Sequence, residues 1–252
     1  MRPLILLPAC NEALCLPSVV REVCSYFPSS DVLVVDDASE DGTHRLLPDL
    51  GVRWIRLPER TGVGGAVRLG LEYARRMGYD TVVRLDGDGQ HVASLAHALL
   101  DALRSDSADA VVGSRYTARD DYRTGFARRL GQRVLALGLS LRLGSRVTDP
   151  TSGFWAFGPR AVELLAHAHP SGYAEPQLRL LLHGKGLRVL EVGVSMRDRL
   201  AGRSTLTPAR ACLAFARACL ALLAASGPGE VQGRRRAFSS SESVRRLLRA
   251  RG

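Results

Sequence analysis

The run Val82-Val83-Arg84-Leu85-Asp86-Gly87-Asp88-Gly89-Gln90-His91 sets two carboxylates one glycine apart, directly after a short apolar stretch. The stretch reads as a buried strand and Gly87 as its exit into a turn. A strand end would fix Asp86, Asp88 and the Gln90 amide on one rim. Three oxygen donors held in that way suit a hard divalent cation, which ordinarily keeps coordination positions open for substrate phosphates. Gly87 has no Cβ, so a ligand can approach the backbone closely. Taken alone, an Asp-x-Asp triplet is more often an acidic turn, so its meaning depends on what the fold brings beside it.

Two more polar clusters follow apolar runs in the same manner. Residues 4–7 read as a strand closed by Pro8 and continuing into Cys10, Asn11 and Glu12. Residues 32–35 read as a strand ending at Val35, followed by Asp36-Asp37. Adjacent carboxylates repel if both are buried, so one of this pair must be wet, paired or ligand-bound. Asp41-Gly42-Thr43 looks like a turn and helix cap. Helices are expected over residues 14–26, 64–77 and 94–104, and further strands over 52–57, 81–85 and 110–112. This alternation predicts an α/β fold, a Rossmann-like, mainly parallel sheet flanked by helices. Ligands in such sheets bind at the carboxyl ends of strands, where all three clusters fall.

The second half is less regular. Residues 123–143 read as a long helix rich in Leu and Arg, and 148–157 as a loop leading into a short strand. Helices are expected over 159–167 and 175–183 and a strand over 187–194. Residues 206–226 are apolar, but Arg210 and Arg217 fall within them. Arginine near mid-bilayer is costly, so the segment reads as an amphipathic helix rather than a span. Residues 227–252 form a basic tail expected to be disordered.

Composition narrows the functional classes. The net charge is +10, and Lys185 is the only lysine, so arginine supplies the positive charge. Arginine's planar fork suits phosphate groups. Basic charge without interleaved aromatics or a recognition motif argues against nucleic acid as a partner. The five cysteines (Cys10, Cys15, Cys24, Cys212 and Cys219) form no Cys-x-x-Cys pair, and no zinc pattern accompanies them. They fit a reducing, cytoplasmic setting, and residues 208–252 add an expected peripheral contact with an anionic membrane face.

Several segments carry a family resemblance. They are Pro8 to Glu12, Val35 to Thr43, Gly62 to Ala66, Asp86 to His91, Ala108 to Arg115, Thr148 to Phe154, Tyr173 to Pro176, Glu191 to Val194 and Arg199 to Ser204. Through them the chain resembles a family 2 glycosyltransferase of the GT-A fold, in the branch of dolichol-phosphate mannose synthase. The segments run in family order, which places the catalytic domain at residues 1–205.

The resemblance implies an inverting enzyme that moves a hexose from a UDP- or GDP-linked sugar to a polyprenyl phosphate. Asp86, Asp88 and Gln90 would hold Mg²⁺ or Mn²⁺. Pro8, Cys10, Glu12, Val35, Asp37, Gly87, Arg115, Arg199 and Arg203 would meet the donor. Asp37 would accept a hydrogen bond from the base, and Asp149 would be the catalytic carboxylate. Transfer to a hydroxyl of a glycan, lipid or small molecule is the alternative reaction. A nucleotide-sugar-binding protein without catalysis is the alternative of another class.

Overall fold

The computed structural model describes residues 3–105, 107–117, 126–170 and 175–199. One seven-stranded sheet runs in the order β3-β2-β1-β4-β6-β5-β7. Its strands are β1 (Leu4–Ala9), β2 (Asp31–Asp36), β3 (Arg53–Arg56), β4 (Val82–Arg84), β5 (Ala110–Ser114), β6 (Trp155–Phe157) and β7 (Val189–Gly193). Every pairing is parallel except those of β6, which lies antiparallel to both β4 and β5.

The helices are α1 (Leu16–Tyr26), α2 (Thr43–Leu46), α3 (Val63–Arg76), α4 (Ala96–Ser105), α5 (Phe126–Leu143), α6 (Pro159–Ala168) and α7 (Glu175–Gly184). The alternation expected from the apolar runs is present. The order of the strands and the reversal of β6 depend on pairings between distant segments, which local patterns do not encode.

Strand β1 shows why the sheet is buried on both faces. Leu4, Ile5, Leu6 and Leu7 are all fully buried. Side chains alternate across a strand. Leu4 and Leu6 therefore join Val67, Leu71 and Leu165 of α3 and α6 on one face, while Ile5 and Leu7 join Val19, Val23 and Leu99 of α1 and α4 on the other. Each of these side chains contributes on the order of 2 kcal/mol relative to exposure. Continuous apolar runs are the mark of a parallel sheet covered on both sides.

Pro8 does not close β1; the strand continues through Ala9. The pattern of hydrogen bonds explains this. Leu4 N donates to Thr81 O and Leu6 O accepts from Leu85 N, so even-numbered residues bond toward β4. Strand β4 has ended by the level of Pro8, so the missing N–H of proline falls where that ladder has stopped.

Among the described residues, no helix is long and apolar enough to cross a membrane. Residues 206–252, expected to form an amphipathic helix and basic tail, lie outside the described residues.

His169 closes α6 with a buried ring whose Nδ1 donates to Pro170 O at 2.8 Å. Burial, helped by the charges of Arg84 and Arg68, pushes its pKa down to about 3. The unfolded chain, with an ordinary histidine pKa of about 6.5, then binds the extra proton first. Stability is lost as pH falls from about 6.5 toward 3, by about 2 kcal/mol at pH 5. Urea denaturation at pH 7 and pH 5 should show a smaller loss in His169→Gln than in the wild type. Equal losses would rule this histidine out as a source of acid sensitivity.

Candidate active site

The carboxyl ends of β1, β2, β4 and β5 meet along one edge, and the acidic segments converge there. After β4, Asp86 N donates to His91 Nδ1 at 2.9 Å, so Nδ1 is unprotonated and the ring is neutral. Burial favours that neutral form by lowering the His91 pKa. The ring stacks on Phe154 with centroids 4.8 Å apart. Asp88 Oδ1 accepts from Gln90 N at 3.0 Å, which closes the turn. A Cβ on Gly87 would stand 3.3 Å from Pro8 O, so glycine lets the ends of β1 and β4 abut.

Beneath Asp86 lies a charge that sequence reasoning missed. Arg84 sits in β4, where the pattern reads as core, and is only 2% exposed. Its Nη2 donates to Asp86 Oδ1 and its Nη1 to Glu175 Oε1, both at 3.2 Å. Gly153 packs on this pair, and a Cβ there would come within 2.8 Å of Asp86 Oδ2 and 2.9 Å of Arg84 Nη2. The available signal was a single arginine inside an apolar strand. A buried cation requires a buried partner, and Glu175 in the Tyr173 to Pro176 segment supplies one.

Glu12 and Asp88 share the guanidinium of Arg199. Arg199 Nη1 lies 3.4 Å from Asp88 Oδ2, and Nη2 bonds Glu12 Oε1. Burial raises the pKa of Glu12 to about 7 against the pull of Arg199, with the charges of Asp88 and Asp86 adding to the rise. The Asp88 pKa is also raised, by burial and then by Asp86.

The segment that delivers Arg199 is fastened before it. Met196 bridges His91, and Arg197 N donates to Gln90 O at 3.0 Å. The Arg197 guanidinium grips Glu22 through bonds of 2.9 and 2.6 Å. Arg203 lies outside the described residues.

Asp36 and Asp37 are both buried, and each is compensated. Asp36 Oδ2 lies 3.3 Å from Arg56 Nε, and its Oδ1 accepts from Ser39 N at 3.2 Å. Asp37 was expected to read the base. Here Oδ1 accepts from Thr61 N at 2.6 Å and Thr61 Oγ1 at 2.9 Å, and Oδ2 from Gly62 N at 2.8 Å. The carboxylate thus fills the amide cradle at the start of α3, a favourable place for an anion.

Cys10 Sγ lies 3.7 Å from Asp37 O, and burial pushes its pKa up to about 11, which keeps the thiol protonated. The Val35 side chain belongs to the core rather than the rim. Pro8 and Gly87 are likewise buried, as the meeting point of two strand ends.

Asp149 was expected to face the reacting groups. It is fully buried and held by Arg115, with Nε to Oδ2 and Nη2 to Oδ1 both at 2.6 Å. Arg115 N adds a bond of 3.1 Å. Burial alone would raise the Asp149 pKa, but the bonds and charge of Arg115 outweigh it and hold it below the usual range. A carboxylate so placed is a weak base.

Behind it, Arg179 Nη2 donates to Asp149 O at 2.9 Å and to Glu191 Oε1 at 2.5 Å. Its guanidinium carbon lies 5.4 Å from the centroid of the buried Trp155 ring. Arg179 too escaped sequence reasoning, because inside the leucine-rich run of α7 it looks like a solvated position.

Residues 4–165 match the family model for Glycosyl transferase family 2. The chain belongs to the family 2 glycosyltransferases.

The chain is 32% identical over 217 residues to an undecaprenyl-phosphate mannosyltransferase of Micrococcus luteus, covering 82% of this chain and 88% of the relative. It is 32% identical over 216 residues to a polyprenol monophosphomannose synthase of Mycolicibacterium smegmatis, covering 82% and 81%. These relatives place it in the dolichol-phosphate mannose synthase-like branch.

Among solved structures, glucosyl-3-phosphoglycerate synthase from Mycobacterium tuberculosis, in complex with Mn²⁺, UDP and glucosyl-3-phosphoglycerate, aligns with a TM-score of 0.64. Identity is 24%, covering 88% of this chain and 78% of that one. Mannosyl-3-phosphoglycerate synthase from Rubrobacter xylanophilus aligns at 0.67 with 20% identity, covering 96% and 81%. These likenesses establish the GT-A fold.

The donor set at this glycosyltransferase's rim fits a hard cation. The side chain of Asp86 keeps 34% of its surface open, and Asp88 already draws a cationic group to Oδ2. Among the described residues, no three His, Cys, Asp or Glu side chains could enclose a metal by themselves. The donor's diphosphate and water would supply the other ligands.

The contact at Gly153 gives a direct test. Gly153→Ala should push Asp86 off Arg84 and lower kcat/KM by on the order of tenfold to a hundredfold, with a modest loss of stability on the order of 1–3 kcal/mol. Steady-state kinetics beside urea denaturation measure both. Unchanged kinetics would show that the position of Asp86 does not matter.

Proposed function

We propose that this glycosyltransferase is inverting and divalent-metal-dependent, and that it moves a hexose from a nucleotide sugar to a polyprenyl phosphate. Mannose is the sugar carried in the names of the two relatives above. The observation that carries the acceptor reading is the clamp on Asp149. Both of its oxygens are engaged by Arg115, so it is poorly placed to deprotonate a hydroxyl. A phosphate monoester needs no such base, because its second ionisation lies near pH 6.

In this reading an acceptor phosphate oxygen attacks the anomeric carbon as the bond to the nucleoside diphosphate breaks. One displacement inverts the configuration. Asp149 orients Arg115, and the guanidinium supplies fixed positive charge where anionic groups meet. Asp86 and Asp88 would hold Mg²⁺ or Mn²⁺, which when bound neutralises the diphosphate as it leaves. Arg84 and Gly153 keep Asp86 in place. The exposed stripe of Leu130, Val134, Leu137 and Leu141 on α5 supports a lipid-borne acceptor presented at a membrane surface.

The test incubates the full chain with undecaprenyl phosphate in detergent, Mn²⁺ or Mg²⁺, and GDP-mannose, UDP-glucose or UDP-N-acetylglucosamine. Formation of an acid-labile, phosphate-linked sugar is the expected outcome. Transfer only to hydroxyl acceptors would replace this reading with ordinary glycoside synthesis. Asp88→Asn should lower kcat by on the order of a hundredfold, and chelation by EDTA should abolish turnover until metal is restored.

A further inference from the structure

Glu12 and Asp88 expose only 10% and 11% of their side chains, and one guanidinium serves both. Asp86 stands two residues from Asp88 and has its own cation in Arg84. If Arg199 is removed, two mostly buried carboxylates lose the positive charge between them. If a metal is added without removing Arg199, two cations compete for Asp88 Oδ2. The site therefore has room in its charge balance for one of them at a time.

We propose that Arg199 is the resident cation of this site, and that it yields to a divalent metal when the donor's diphosphate arrives to take the guanidinium. The inference rests on the metal-dependent reading above and adds a linkage to it.

The route of the chain supports the exchange. Arg197 is fixed to Glu22, and Met196 to His91, so the strap that carries Arg199 is tethered beside the site. A metal arriving alone must take Asp88 Oδ2 from a guanidinium that stays on Glu12, close enough to repel it. A diphosphate offers oxygens matched to the guanidinium fork. Metal and donor each remove the obstacle to the other, so their binding is positively and reciprocally coupled. The reading differs from one in which Arg199 merely helps to bind the donor. It predicts that deleting a positive charge improves metal binding in the absence of nucleotide, rather than leaving it unchanged.

The experiment measures Mn²⁺ binding to the full chain by electron paramagnetic resonance, without nucleotide, for wild type, Arg199→Gln and Arg199→Lys. Circular dichroism melting checks that each variant is folded. Arg199→Gln should bind Mn²⁺ on the order of tenfold more tightly than wild type, and Arg199→Lys, which keeps the charge, should stay near wild type. The dissociation constants of GDP and UDP, each measured with and without saturating Mn²⁺, should show strong coupling in wild type and weak coupling in Arg199→Gln. Metal affinity in Arg199→Gln no greater than wild type would overturn the exchange and leave the metal-dependent reading standing. No Mn²⁺ uptake by any of the three proteins, with or without nucleotide, would overturn both.

Discussion

Carboxylates gathered on one edge of a sheet repel one another, and the edge holds together because each has a counter-charge or a row of amide donors. Asp36 has Arg56, Asp86 and Glu175 share Arg84, Asp149 has Arg115, and Glu191 has Arg179. Asp37 uses the amides at the start of α3. Arg84 with Glu175 and Arg115 with Asp149 join distant parts of the chain, so charge compensation ties both halves of the sheet together at the rim. Losing one partner of a buried pair typically costs 3–5 kcal/mol. The site and the stability of its surroundings are thus set by the same contacts.

Those pairs are of two kinds. Arg115 and Arg84 are buried and bonded to groups that hold them rigidly, which suits fixed electrostatic preorganisation. Arg199 is more open, with 19% of its side chain exposed, and reaches the rim from a strap rather than from a strand or helix. Arg84 and Arg115 are built into the sheet edge, and Arg199 comes to it from a separate segment. In the proposed reading, this division gives the donor a fixed base and a cover that answers to the ligand.

Much of the architecture was readable beforehand because both faces of the sheet are covered. Runs such as Leu4 to Leu7 and Val32 to Val35 are apolar throughout, and the intervening helices repeat with their own period. The convergence of Glu12, Asp37 and Asp86 followed from their positions at strand ends. The partners were harder to read. Arg84 and Arg179 occupy places where a local pattern predicts core or solvent, and only three-dimensional proximity to Glu175, Asp86 and Glu191 explains them. The partners of Asp37 and Asp149 were hidden for the same reason. A sequence shows a carboxylate without showing which donor reaches it first, and here Thr61 and Arg115 do.

The reversed direction of β6 bears on how the molecule can vary. In the parallel strands the rim residues follow the strand, but in β6 they precede it, so the chain leaves the rim beyond Ser114 and Arg115 and returns to it at Thr148. The two hydroxyls lie 2.6 Å apart. The whole detour, α5 included, is therefore a loop closed at its neck, and doubling the length of such a loop costs only about 0.6 kcal/mol in closure entropy. Lineages could lengthen, shorten or rebuild that detour while β1, β2 and β4 keep their register, changing what is presented opposite the carboxylates without refolding the floor beneath them.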